Sequence, residues 1–303
     1  MTLSFLPHLA LFAAMLVWGS SFITLKIALT AFSPLELMAC RMLVACLIFS
    51  PALPALLRHV RAQGQWKYIL LMVCGEPCLY FIFETYALQY TSAAQAGMIT
   101  SLLPLCVAAA AYFLLKETTG ARTWAGLGLA IAGVLWLSLG GVATESAPAP
   151  LLGNVMEMIA MLCATVYTVC ARRLSLHYSA MEITGMQVVT GTIFFGLLAL
   201  LPIAPPRVSL PMDIPAWLPA AMVVYMGTAV TFVGYGFYNY GIRRLSASQA
   251  AAYCNLMPVV GLALGVTVLD EIITLPQYAA SALVVLGVLL SQSSDKKPTA
   301  SAG

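Results

Sequence analysis

Charge is what this chain has least of. Of its 303 residues only 8% are Asp, Glu, Lys or Arg, while 61% are hydrophobic. Mean hydropathy is +0.94. A soluble protein carries about 25% charged residues, and a larger core does not hide such a deficit. Most of the chain is therefore read as lying in lipid, with the bilayer itself as a partner. The formal charge of +3 is small and scattered over several loops, which excludes a nucleic-acid partner. The loops also lack cysteine. All eight cysteines fall inside apolar runs, so they read as small core residues and no disulfide framework is expected. A cleavable leader is not expected either: residues 1–7 carry no Lys or Arg, and the apolar run that follows is long enough to span. Histidine is scarce, and His8, His59 and His177 lie at or near helix ends. There is no His–Asp–Ser grouping and no Gly-rich phosphate loop after a strand. Catalysis, ATP driving and a bound cofactor are accordingly not expected. Cys74 and Cys78 at i, i+4 and the Met156, Met158, Met161 cluster come with no membrane histidine, so a metal site is not expected.

What the chain has is long apolar runs. Those bounded by turn or charge signals predict ten helices, near 7–29, 35–57, 67–89, 93–115, 121–140, 153–172, 181–201, 217–241, 247–269 and 276–292. Each is about the length that roughly 30 Å of hydrocarbon demands at 1.5 Å per residue. Peptide groups in lipid must bond internally, and runs of this kind lack the alternation of a barrel strand. The expected fold is an all-α integral membrane protein.

The second half repeats the first. A shift of 154 residues lays Phe83 on Phe237, Tyr86 on Tyr240, Ser92-Ala93 on Ser246-Ala247, Gln95-Ala96 on Gln249-Ala250, Pro104 on Pro258, Glu117 on Glu271 and Gly133 on Gly287 without a gap. A shift of 146 relates the earlier helices, pairing Met15 with Met161, Lys26 with Arg172, Ser33 with Ser179 and Glu36 with Glu182. Positive charge changes ends between the copies: Gln89-Tyr90 becomes Arg243-Arg244, and Lys116 becomes Asp270. Eleven Lys and Arg fall on one side of the predicted spans. Only Lys26, Arg41 and Arg207 fall on the other. By the positive-inside rule both termini are cytoplasmic. Five helices per copy is odd, so the second copy enters from the opposite side. The expected units are 1–141, a linker 142–152, an inverted repeat 153–292 and a cytoplasmic tail 293–303.

These residues resemble a known family. Trp18-Gly19-Ser20, Lys26, Pro34, Arg41, Ala87-Leu88, Tyr90-Thr91-Ser92-Ala93, Pro104, Lys116-Glu117 and Gly133-Val134 stand in the first copy. Ala247, Pro258-Val259, Asp270-Glu271, Gln277 and Gly287-Val288 stand in the second. In this order they look like the EamA branch of the drug/metabolite transporter superfamily, over almost the whole chain. The resemblance implies a ten-helix inverted-repeat carrier with a central cavity, usually exporting small metabolites, in the bacterial inner membrane. Gly75-Glu76 and Cys78-Leu79 further resemble that superfamily's amino-acid exporters, with a departure at Pro77 and from Tyr80 onward.

The few acids locate the candidate site. Ser33 with Glu36, and Ser179 with Glu182, have capping-box spacing at helix starts. Glu117 and Glu271 close their helices beside the next helix start and read as structural. Glu76 has no capping role. It lies nine residues past Lys67, roughly 14 Å deep at 1.5 Å per residue. An intramembrane carboxyl at that depth is by default functional. Glu76 is therefore the expected coupling residue, able to take up and release a proton. Tyr80 and Glu84 follow on the same face, Tyr80 reading equally as packing. Lys26, Arg41, Glu84 and Glu157 are expected to form a charge cluster at the outer mouth. Lys26 and Arg41 read alternatively as snorkelling, and Glu157 alternatively as a capping partner of Asn154. Thr231, Tyr235, Tyr238 and Asn239 share a face of the eighth helix and form a polar aromatic wall, Tyr238 having belt packing as its rival. Trp18, Tyr253 and Asn255 complete the candidate substrate set. Pro104 and Pro258 sit mid-helix and are candidate hinges. Gln95 and Gln249 are expected to pair helices.

The function these readings support is proton-coupled export of small organic solutes by alternating access, by a monomer or homodimer. Lipophilic-cation efflux is the alternative. A membrane receptor or enzyme on the same scaffold is the alternative from another class.

Overall fold

A computed structural model describes residues 5–115, 121–140, 143–203, 208–210, 213–245, 247–271 and 274–292. Lys116, Glu117, Arg207, Ser246, Asp295, Lys296 and Lys297 lie outside the described residues. Within them the chain is almost wholly helical. Ten helices follow one another: α1 (Leu6–Ala28), α2 (Pro34–Gln63), α3 (Trp66–Tyr90), α4 (93–115), α5 (Ala121–Leu139), α6 (Pro150–Leu174), α7 (Ala180–Leu198), α8 (Leu218–Arg244), α9 (247–268) and α10 (Leu275–Gln292). Eight are long and apolar enough to cross a bilayer, and α5 and α10 contain shorter apolar stretches. The protein is a multi-pass membrane protein.

Local chemistry sets the boundaries. Ser33 accepts from the Glu36 amide while the Glu36 carboxylate accepts from the Ser33 amide at 2.9 Å, and Pro34 follows at the first helical position. Ser179 and Glu182 repeat this box at the start of α7. Both satisfy amides that a helix start leaves without partners. The first span ends beside Lys26, and α2 continues through a tight turn at 50–52 to Gln63, six residues past its expected end. Helix α6 begins at Pro150, three residues inside the expected linker.

Each helix crosses once, so α1 begins on one face, here the Leu6 face, and ends on the other, the Ser33 face. Packing follows the repeat. Helix α1 packs on α8 and α9; its counterpart α6 packs on α3 and α4. Helix α2 meets α8 as α7 meets α3. The antiparallel pair α5 and α10 displays the symmetry atom by atom. A Cβ placed on Gly133 would lie 2.7 Å from a Val284 methyl and 2.9 Å from the Ala280 carbonyl. On Gly287 it would lie 2.6 Å from the Ala130 amide and 2.6 Å from the Gly126 carbonyl. Gly126 and Ala130 are the repeat partners of Ala280 and Val284. Residue i meeting j while j's copy meets i's is the signature of a two-fold axis. An axis that makes its two copies antiparallel lies in the membrane plane.

Candidate functional site

Helices α3 and α8 do not run straight through the bundle. Helix α3 is regular over Trp66–Val73, loosens into a wide turn over Cys74–Leu79, and resumes at Tyr80. Within the turn Glu76 is extended, at φ −147° and ψ 122°. Pro77 lacks an amide to donate, so the ladder opens there. Helix α8 widens over Met226–Gly234. Widened turns leave carbonyls without their i+4 amides, and the site is built on what replaces them. Trp18 of α1 donates its indole N–H to the Val230 carbonyl at 3.1 Å. Arg41 of α2 donates Nε–H to Thr231 Oγ1 at 2.6 Å, and its guanidinium lies 4.2 Å from the centre of the Phe81 ring.

These elements enclose a central cavity of about 30 Å³. That is room for a water or two and no more, so the site is contracted around its lining. Glu76 accepts a hydrogen bond from the Tyr235 hydroxyl. The Tyr80 hydroxyl donates to Glu84 Oε1 at 2.8 Å. Trp18 packs against Tyr235 at 5.0 Å and Tyr238 at 4.9 Å between ring centres. Arg41 is 2% exposed and within electrostatic reach of both Glu76 and Glu84, yet its Nη1 has no partner in the protein. A buried guanidinium nitrogen without an acceptor is costly, and Arg41 is among the residues that line the cavity.

Of the candidates, Trp18, Arg41, Glu76, Tyr80, Glu84, Tyr235 and Tyr238 line the cavity together. Thr231 sits behind the wall as the Arg41 partner. Asn239 also lies behind it, accepting from Tyr167 at 2.8 Å and donating to Thr184 and Gln187. The tight turns before Pro104 and Pro258 bring Thr100, Leu103 and Met257 to the cavity.

Besides Thr231 and Asn239, four readings need correction. Lys26 does not join Arg41, Glu84 and Glu157. It is fully buried, donating to the Thr91 carbonyl at 2.7 Å and pairing with Glu271 at 3.4 Å. Glu271 in turn accepts from the Ala93 and Ala94 amides at 2.8 and 2.9 Å, capping α4. An anion at that helix start draws the lysine to itself. Glu157 is not capped by Asn154, because α6 begins four residues before Asn154 and that side chain bonds Thr91, Gln95 and Ser138. Both Glu157 oxygens are buried without a partner, within reach of Glu84 but behind the lining. Tyr253 lies away from the cavity, its hydroxyl 2.6 Å from His8 Nδ1. Asn255 does not line it either, and its Oδ1 is buried without a partner.

The sequence reading missed the α6 wall. Met161, Ala164, Tyr167 and Thr168 line the cavity, with the Tyr167 ring edge-on to Tyr235 at 6.0 Å between ring centres. The signal was present: the shift of 146 puts Ala164 on Trp18 and Tyr167 on Ser21, and both members of each pair face the cavity.

Two stretches, residues 6–139 and 151–292, each match the model of the EamA-like transporter family. The chain belongs to that family, within the drug/metabolite transporter superfamily. It is similar to the uncharacterized transporter YetK of Bacillus subtilis, at 25% identity over 97% of this chain and 88% of the relative. It is also similar to a protein of Streptantibioticus cattleyicolor named "Probable terminal-alkyne amino-acid exporter", at 26% identity over 93% of this chain and 91% of that one. A solved structure at 21% identity superposes with a TM-score of 0.65, covering 94% of this chain and 96% of its own, and shares the fold. The protein is a membrane transporter of the EamA type.

Proposed function

We propose that this transporter exports amino acids or closely related metabolites in exchange for protons, alternating the central cavity between the two membrane faces. The observation that carries the reading is the presence at the cavity of one cation with a buried nitrogen that lacks an acceptor, Arg41 Nη1, and of a carboxyl set in a helix break, Glu76. Arg41 Nη1 offers a donor to a substrate carboxylate. Glu76, with Tyr235 and the rings of Trp18 and Tyr238, offers acceptor and aromatic faces to an ammonium group. A zwitterion satisfies both at once.

Glu76 is the coupling residue in this reading. A coupling group must face each side in turn, and the wide turn of α3 gives it a backbone able to move without unwinding a whole helix. Substrate and proton compete for one carboxyl, so protonation of Glu76 releases the ammonium group. The relative named "Probable terminal-alkyne amino-acid exporter" supports the substrate class. The charge asymmetry of the loops supports a topology with both termini cytoplasmic.

Lipophilic-cation efflux is the second reading. Glu76 and Glu84 outnumber Arg41 in the cavity lining, and the rings of Trp18, Tyr80, Tyr167, Tyr235 and Tyr238 would hold a delocalised cation. A thermal-shift screen of amino acids, nucleosides and quaternary amines separates the two, because a ligand of the native state raises the melting temperature. Amino acids are expected to stabilise the wild type and not Arg41→Met. Stabilisation by quaternary amines alone, unchanged in Arg41→Met, would establish the second reading in place of the first.

A further inference from the structure

Outside the central cavity the structure holds a larger concavity that shares no lining residue with it. It lies on the Leu6 face, between the start of α1, the start of α7 and the second half of α8, with a volume of about 820 Å³. That is the size of a pocket for a sizeable organic ligand. Its walls are apolar: Leu9, Ala13 and Phe237 face it, with Leu9 48% and Phe237 40% exposed. Gly236 forms part of its floor, and a Cβ there would meet nothing within 4 Å. Its mouth is different. Arg243 and Arg244 close α8 at that end, both exposed. Arg244 stacks over the Tyr240 ring at 3.6 Å and donates to the Tyr240 carbonyl.

Among the described residues no carboxylate pairs with either arginine. Glu182, an acid at the start of α7 near this mouth, is already engaged by Ser179 and by His59 at 2.5 Å. Arg172 adds a third positive charge behind the pair, donating to the carbonyls of Ile242 and Arg243. The first repeat has no such mouth, since Gln89 and Tyr90 stand where Arg243 and Arg244 do.

We infer that this groove is a binding site for one anionic phospholipid, with acyl chain between α1 and α8 and phosphate against Arg243 and Arg244. The apolar walls select an acyl chain, which any membrane lipid supplies. The guanidinium groups, which no described carboxylate neutralises, select the net negative headgroup. Each basic residue near the surface contributes on the order of 1 kcal/mol toward an anionic lipid, so two give roughly tenfold preference or more over a zwitterionic one. The arginines sit on the face to which most Lys and Arg of the loops belong. The far side of the same α8 segment carries Tyr235 and Tyr238 into the central cavity, so a bound lipid braces the wall against which Trp18 packs. This site goes beyond the transport reading and stands or falls without it.

Native mass spectrometry of the delipidated full-length protein tests it, with added phosphatidylglycerol or phosphatidylcholine. The wild type is expected to retain one phosphatidylglycerol at roughly tenfold lower concentration than phosphatidylcholine. Arg243→Gln with Arg244→Gln should abolish that preference. Gly236→Phe, which fills the floor without touching charge, should abolish retention of either lipid at this site; Ala10→Leu on the facing wall serves if Gly236→Phe is poorly folded. Arg58→Gln with Arg61→Gln, on the same face but outside the groove, should change nothing. Equal retention of both lipids by the wild type overturns the proposal. So does an anionic preference that survives groove filling, which would mark general surface attraction.

Discussion

The third and eighth helices are repeat partners, and both widen at the same level, but different chemistry opens them. In α3 the break holds Glu76 and Pro77; in α8 the equivalent positions are Val230 and Thr231. The first break is opened from within, by an imino acid with no amide and an extended Glu76. The second has no proline and is held from outside, by the Trp18 indole on the Val230 carbonyl and by Arg41 on Thr231. Duplication has conserved the shape and divided the labour. One copy carries the Glu76 carboxyl, and the other carries the Tyr235 hydroxyl that donates to it and the rings beside it. The same division recurs four residues on. Tyr80 stands opposite Gly234, whose lack of a side chain lets the Trp18 ring approach: a Cβ there would lie 2.5 Å from Trp18 Nε1.

This contrast can be broken from either side. Glu76→Val makes the first break resemble the second. It is expected to bring transport in proteoliposomes to the level of empty vesicles while the protein still inserts, because no described acid of the second copy lines the cavity. Trp18→Phe attacks the other break. It leaves the Val230 carbonyl unpaired, at about 1–3 kcal/mol. Turnover should fall severalfold and the melting temperature by a few degrees, with the pH dependence intact. A Trp18→Phe protein with unchanged melting temperature would show that the eighth helix holds its own bend.

Pro104→Ala and Pro258→Ala act further away. Each restores an amide at a bend beside the cavity. Slower turnover with nearly unchanged substrate affinity is expected from each, since they alter cycling and not contacts. Transport at the wild-type rate in both variants would remove the prolines from the mechanism. Tyr253→Phe should have the smallest effect, within about twofold, because it removes only an exposed hydrogen bond to His8. A large loss of affinity in Tyr253→Phe would place a second wall of the site where the structure has none.

The helices were legible because lipid leaves few options: apolar runs must be helices, and their number follows from length. The capping boxes at Ser33 and Ser179 were legible because both partners lie within four residues. Glu76 stood out because no local role accounts for it. What sequence spacing does not carry is lateral neighbourhood. Lys26 and Arg41 fall at similar predicted depth, yet one turns to a helix start capped by Glu271 and the other to the cavity. Depth follows from counting residues, while the face a side chain presents follows from which helix packs there. The α6 wall was legible in principle, since Tyr167 is the repeat partner of Ser21, but only with the pseudo-symmetry applied to packing as well as to sequence. Glu157 marks the opposite case. Its spacing from Asn154 imitates a cap, and only the start of α6 at Pro150 shows that Asn154 is already inside the helix.

The measurement closest to the centre of the account is uphill transport by Glu76→Gln. This variant keeps the size of the side chain and a group that can accept from Tyr235, but it cannot exchange a proton. It is to be reconstituted in proteoliposomes with the amino acid that most raises the wild-type melting temperature, and accumulation followed with and without a pH gradient at several external pH values. The account predicts that Glu76→Gln still binds and equilibrates the solute, no longer accumulates it against a gradient, and shows a flat pH profile. Normal pH-dependent accumulation by Glu76→Gln would contradict it, leaving Glu84, two turns along the same helix, to carry the coupling.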